Sequence, residues 1–139
     1  MRHVRVPRRD EHGQSISLFV LVIMGALIIT SGLVIDGGQK VAATSRAESA
    51  AAGASRAAGN AAATQELGGA DVASAAVLAA KTYLTGQPGV EWTVSITNGV
   101  VLVTTSAQQP TILLSIIGIG SVSGQGSARA NIVPTGDSR

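Results

Sequence analysis

The sequence predicts an α+β protein. A long N-terminal transmembrane helix runs on into an alanine-rich stalk helix, a second helix follows, and a small antiparallel sheet closes the chain as a β-hairpin plus one further strand. Three observations predict this. Ile16–Ile35 is an uncharged apolar run of membrane-spanning length, residues 39–64 are rich in alanine and free of proline, and two β-rich runs are joined by Asn98-Gly99.

The apolar run reads ISLFVLVIMGALIITSGLVI. At about 1.5 Å per residue it makes a helix roughly 30 Å long, the thickness of a bilayer hydrocarbon core. Ser17, Thr30 and Ser31 can return their hydroxyls to backbone carbonyls, so they do not spoil the span. Arg2, Arg5, Arg8 and Arg9 precede it and Asp36 follows it. The excess of basic residues ahead of the run places the N-terminus in the cytoplasm and the C-terminal body outside. A cleaved secretory signal is the competing reading, with Val41-Ala42-Ala43 as its small-residue cleavage site; the run is longer than the roughly 7–15 residues of a signal-peptide core. Gly25 and Gly32 fall near one face of the helix, where small residues permit close approach, although glycine is common in membrane helices anyway.

In the stalk, Ala43, Ala47, Ala50, Ala54, Ala57 and Ala61 recur at four-three spacing and form one helical stripe. That stripe is a candidate packing seam for another helix. Gly37 and Gly38 lie just past the span, where they weaken the helix and form a candidate hinge at the membrane exit with Asp36. Asp36 also reads as a marker of the end of the span, because aspartate is expensive inside lipid. A continuous helix over residues 15–64 would be roughly 75 Å long.

Asp71 is a good N-cap for a second helix, in which Val72, Ala75, Ala76, Ala79, Ala80 and Tyr83 recur at helical spacing. Gly86-Gln87-Pro88-Gly89 ends it. Strands are expected over residues 90–97 and 100–106, the Asn-Gly pair between them being the strongest short-range hairpin signal. Trp92, Val94 and Ile96 share one face of the first strand, and Val101 and Val103 alternate in the second. After Pro110, the apolar segment of residues 111–119 is too short to span a bilayer; it reads as a short buried helix or a segment docked on the membrane surface. Residues 120–132 alternate small and polar side chains, with Val122, Gly124, Gly126, Ala128 and Ala130 on one face. This is the pattern of an edge strand packed under a helix where space is tight. The division is thus a cytoplasmic basic tail (1–15), a transmembrane helix (16–35), a stalk helix (36–66), a small α+β domain (67–133) and a flexible tail (134–139).

Composition limits what such a domain can do. Of 139 residues 45% are hydrophobic but only 2% aromatic, so the core outside the membrane is thin and gains from neighbours. There is no cysteine, which excludes disulfides and thiolate metal sites. The net charge of +2 sits on the N-terminal tail and no basic face with stacking aromatics exists, so nucleic acid is not an expected partner. His3 and His12 lie in the tail, the carboxylates beyond the span are scattered, and no phosphate loop is present. No catalytic residues, cofactor or metal are expected.

Residues 8–58, from Arg8-Arg9 through the Asp36-Gly37-Gly38 exit to the alanine helix, resemble the N-terminal region of actinobacterial TadE/TadG-like proteins, and Ile117–Ser121 with the small-residue alternation to Ala130 is also similar. The resemblance implies a pilin-like arrangement in a bacterial cell membrane and a part in assembling tight-adherence (Flp-type) pili. Implied partners are membrane lipid and other pilus or secretion subunits, including copies of itself. Pseudopilins of that system are cut after a glycine and carry a glutamate five residues into the mature helix. Gly13 is the corresponding cleavage candidate, but Leu18 stands at the glutamate position and no acidic residue lies between Gln14 and Ile35. This departure favours an accessory protein that stays in the membrane. The alternative is a membrane-tethered binding or envelope module, or the secreted product of a cleaved signal peptide.

Overall fold

The structure, a computed structural model, describes residues 12–68 and 71–132. The arginine cluster and His3 of the basic tail, and the C-terminal tail of residues 134–139, lie outside the described residues. Helix α1 spans His12–Gly68, α2 spans Val72–Thr85, and strands β1 (Val90–Thr97), β2 (Val100–Pro110) and β3 (Ser121–Asn131) form one antiparallel sheet in that order. A single 3₁₀ turn, Leu114–Ile117, sits in the loop between β2 and β3.

Helix α1 is unbroken for 57 residues, about 85 Å of rod. No proline interrupts it, and alanine, the best helix former, dominates its second half. Thr30 Oγ1 donates to the Ala26 carbonyl at 2.7 Å, so a polar side chain in the apolar half bonds back to its own helix. Gly37 and Gly38 lie inside the continuous helix and both are exposed. From Ile16 to Ile35 the large side chains face outward, including Phe19, Ile29, Leu33 and Val34.

The second half of α1 is the spine of the folded domain. Ala47, Ala50, Ala51, Ala54, Ala58 and Ala62 share one core with Ala76, Ala80 and Leu84 of α2 and with Val90, Val101, Val103, Ala107 and Ile132. Residues 36–66 and 67–133, separable by sequence, thus share a single interior. Helix α2 starts where Asp71 accepts from the N–H groups of Ala73 (3.1 Å) and Ser74 (3.3 Å), which removes two of the unpaired donors at its first turn. Its buried face is Ala76, Ala80 and Leu84; Tyr83 is 39% exposed, and Leu84 takes the inward place.

The hairpin turns at Asn98 and Gly99, whose φ angles of 51° and 73° are both positive as a type I′ turn requires. The register pairs Thr97 with Val100 and Val90 with Ala107. Strand β2 runs to Pro110, four residues past the expected end. Pro110 is tolerated because pairing with β1 stops at Ala107, so the last stretch of β2 is paired on one side alone, with β3.

Strand β3 explains how a helix and a sheet with few large side chains can pack. Its inward positions are Val122, Gly124, Gly126, Ala128 and Ala130, and the two glycines are buried. A Cβ on Gly124 would run into the backbone of Ala43 and Thr44; one on Gly126 would lie 2.5 Å from the Ala47 carbonyl carbon and the Glu48 nitrogen. The helix backbone therefore rests directly on the strand. Thr105 of β2, buried opposite Gly126, donates its hydroxyl to the Ala47 carbonyl at 2.7 Å. On the other side Tyr83 lies over Gly53, where a Cβ would meet the ring.

Candidate functional site at the membrane boundary

Asp36 is the last residue before the alanine-rich half of α1, and its position in the helix turns it toward the β2–β3 loop. It is 2% exposed. The carboxylate accepts three backbone N–H groups of that loop: Ile112 at 2.8 Å on Oδ1, and Leu113 at 3.1 Å and Leu114 at 2.6 Å on Oδ2. Leu113, at the head of the 3₁₀ turn, provides no side-chain cap of its own. A carboxylate from a different element, 76 residues away in sequence, does the capping. The Ile112 N–H is the largest influence on Asp36, and with the Leu114 and Leu113 donors it holds the carboxyl below the usual carboxylate range against the opposing effect of burial.

The loop is closed by further internal bonds. Thr111 N–H donates to the Gly120 carbonyl (3.1 Å) and Ile119 N–H to the Leu114 carbonyl (3.0 Å). The Ser115 hydroxyl donates to the Ile112 carbonyl at 2.6 Å, and the Thr111 hydroxyl to the Ile119 carbonyl. Gly118 ends the turn with φ 90°, a left-handed conformation that glycine adopts without penalty. Leu113 packs on Gly32 of α1, so closely that a Cβ there would lie 2.5 Å from Leu113 Cδ1. Ile112, Ile116, Ile117 and Ile119 are nevertheless exposed, Ile116 by 76% and Ile117 by 71%. Of the two readings of this segment, a buried helix is not what forms: the turn has no buried residue.

Ala43, Ala47, Ala50 and Ala54 of the predicted seam are buried, whereas Ala57 and Ala61 are half-buried. The buried stripe continues instead through Ala51, Ala58 and Ala62, and the sheet and α2 of the same chain cover it. Gly25 has open space beside it, while Gly32 is occupied by Leu113. Gly13 is the second residue of α1. Among the described residues no three His, Cys, Asp or Glu side chains cluster as a metal site would need.

One helix among the described residues is long and apolar enough to cross a membrane, and its apolar half is exposed rather than buried in a core. Residues 13–64 match the model of the Tad family, Flp pilus-assembly TadE/G-like proteins. The long helix is TadE/G-like. The TadE/G-like stretch covers the apolar span, Asp36 and most of the alanine stripe, and so joins anchor and spine in one unit. The matched family is described by Flp pilus assembly, and the match coincides with the helix that is long and apolar enough to cross a membrane. No curated protein and no solved structure matches the chain.

Proposed function

We propose that this chain is a non-catalytic, single-pass accessory component of tight-adherence pilus assembly, with its N-terminus in the cytoplasm and its α+β domain outside the membrane. The observation that carries the reading is the coincidence of the TadE/G-like residues 13–64 with a helix that is apolar and outward-facing in its first half and buried in a domain core in its second. A helix of this kind fixes the domain rigidly to its anchor. Contacts with other subunits then fall on the surfaces the domain leaves free: the span, with its open Gly25, and the exposed face of α1 at Val41, Ser45 and Ser49. Small residues allow membrane helices to approach closely at such a face.

Retention of the anchor is supported by what cleavage near Ala43 would remove. Ala43 and Thr44 pack on Gly124, and Asp36 holds the β2–β3 loop, so a cut there would remove buried Ala43 and the loop's cap together. Deleting the gene should abolish surface pili and adhesion, and normal piliation in the deletion strain would count against the role. Photo-cross-linkers at Val41, Ser45 and Ser49 should capture other pilus subunits in cells. Capture confined to positions on residues 90–106 would favour the binding-module reading instead.

A further inference from the structure

The β2–β3 loop is apolar to an extent that water does not reward. Ile112, Leu113, Leu114, Ile116, Ile117 and Ile119 crowd into eight residues, and four of them are exposed. Its place along α1 is informative. Leu113 rests on Gly32, four residues before Asp36, or about 6 Å toward the membrane interior along the helix axis. Ile116 and Ile117 line an apolar groove of about 310 Å³ with Ile28, Ile29 and Leu33, and Ile28 lies about 12 Å below the level of Asp36. The loop therefore occupies the same depth as the last two turns of the span.

Irregular backbone is tolerated at that depth only if its polar groups are satisfied without water. Seven of the loop's N–H groups meet it. The N–H groups of Thr111, Ile116, Gly118 and Ile119 bond within the loop or its base. Those of Ile112, Leu113 and Leu114 would be left over at the head of the turn, and Asp36 takes all three. The only hydroxyls, on Thr111 and Ser115, are bonded to loop carbonyls.

We infer that the β2–β3 loop is a second membrane element, which dips beside the anchor into the hydrocarbon of the leaflet next to the domain, with Asp36 satisfying the backbone donors that lipid cannot. The partner of Ile116 and Ile117 is acyl chain. The occupant follows from continuity with the span: the residues flanking the groove on α1 are those whose other faces meet lipid. The inference rests on residues 16–35 being a membrane span. With two insertions the domain is held at a fixed tilt and rotation on the bilayer, which orients its free surfaces toward neighbouring subunits.

The test uses the full chain in lipid nanodiscs of phosphatidylethanolamine and phosphatidylglycerol. The natural sequence has no cysteine, so single spin labels can be placed at I116C and I117C, at V22C within the span, and at S95C on the exposed part of β1. Labels at 116 and 117 should be accessible to oxygen and shielded from a water-soluble nickel chelate, as at Val22 and opposite to Ser95. Adding Asp36→Ala should shift the 116 label toward nickel accessibility while Val22 is unchanged. Because Ile116 and Ile117 are largely exposed, the labels should leave folding intact, which far-UV circular dichroism checks. Nickel access at 116 and 117 with Val22 in hydrocarbon overturns the inference. Protection from both reagents also overturns it, since the loop would then be covered by protein. Nickel access at Val22 overturns the span itself and the inference with it.

Discussion

Gly126→Ala adds one methyl group at a close helix–sheet contact, and the structure gives its consequence. The new Cβ would stand 2.5 Å from Ala47 C and Glu48 N and 2.6 Å from Ala47 O. All three atoms are helix backbone, so no side chain can swing aside. Relief requires α1 and β3 to separate by about 1 Å, and overpacking of this kind costs about 1–3 kcal/mol. The same movement stretches the 2.7 Å bond from Thr105 Oγ1 to the Ala47 carbonyl, worth about 1 kcal/mol more. The expected loss is therefore about 2–4 kcal/mol. Gly120→Ala is the matched control, because nothing lies within 4 Å of a Cβ there. Urea unfolding of both variants in nanodiscs, followed through the fluorescence of the only tryptophan, Trp92, measures the difference. Equal midpoints for the two alanine variants would refute the claim that the glycine face of β3 exists to let the helix backbone rest on it.

Thr105→Val keeps the shape of a buried side chain and removes its hydroxyl, so the domain should lose about 1 kcal/mol in the same assay. Leu84→Ala removes the largest fully buried side chain outside the span and should cost about 2–5 kcal/mol. Asp36→Ala should speed hydrogen exchange at the amides of residues 112–114 and leave the amides of β1 unchanged, as read by mass spectrometry. Asp71 has its carboxyl held below the ordinary range, first by the Ser74 hydroxyl and then by the Ser74 and Ala73 N–H groups, against desolvation. A depressed folded-state value means that this contribution is complete above the unfolded value near 4 and is lost as pH falls through the lower folded value. Amides at the start of α2 should thus lose protection below about pH 4, and Asp71→Asn should flatten that dependence.

The parts of this fold that local chemistry determines could be read from the chain alone. The uncharged run, the Asp71 cap, the Asn98-Gly99 turn and the small-residue face of β3 each depend on residues adjacent in sequence. What was not legible depends on long-range placement. The four-three alanine spacing suits a partner helix, because a 3.5-residue repeat keeps one seam facing a neighbouring rod. The actual partner is mainly a sheet, whose strands twist. The buried face accordingly adds Ala51, Ala58 and Ala62 to Ala43, Ala47, Ala50 and Ala54, drifting off the predicted line at Ala57 and Ala61. In α2 the expected Ala76 and Ala80 are buried, but Leu84 and not Tyr83 completes the face, since alanine gives periodicity arguments little contrast. From the sequence Asp36 has only its address at the end of the span. Its task lies with Ile112–Leu114, and the available signal was a turn-forming apolar segment without a capping residue of its own.

The central claim is that one uninterrupted helix serves as both membrane anchor and domain spine. Intact-mass measurement of the protein recovered from cell membranes tests it most directly. A species that retains residues 16–35 and stays in the membrane fraction is the predicted result. A soluble product beginning near Thr44 would contradict it, because the helix would then end where the domain's packing begins.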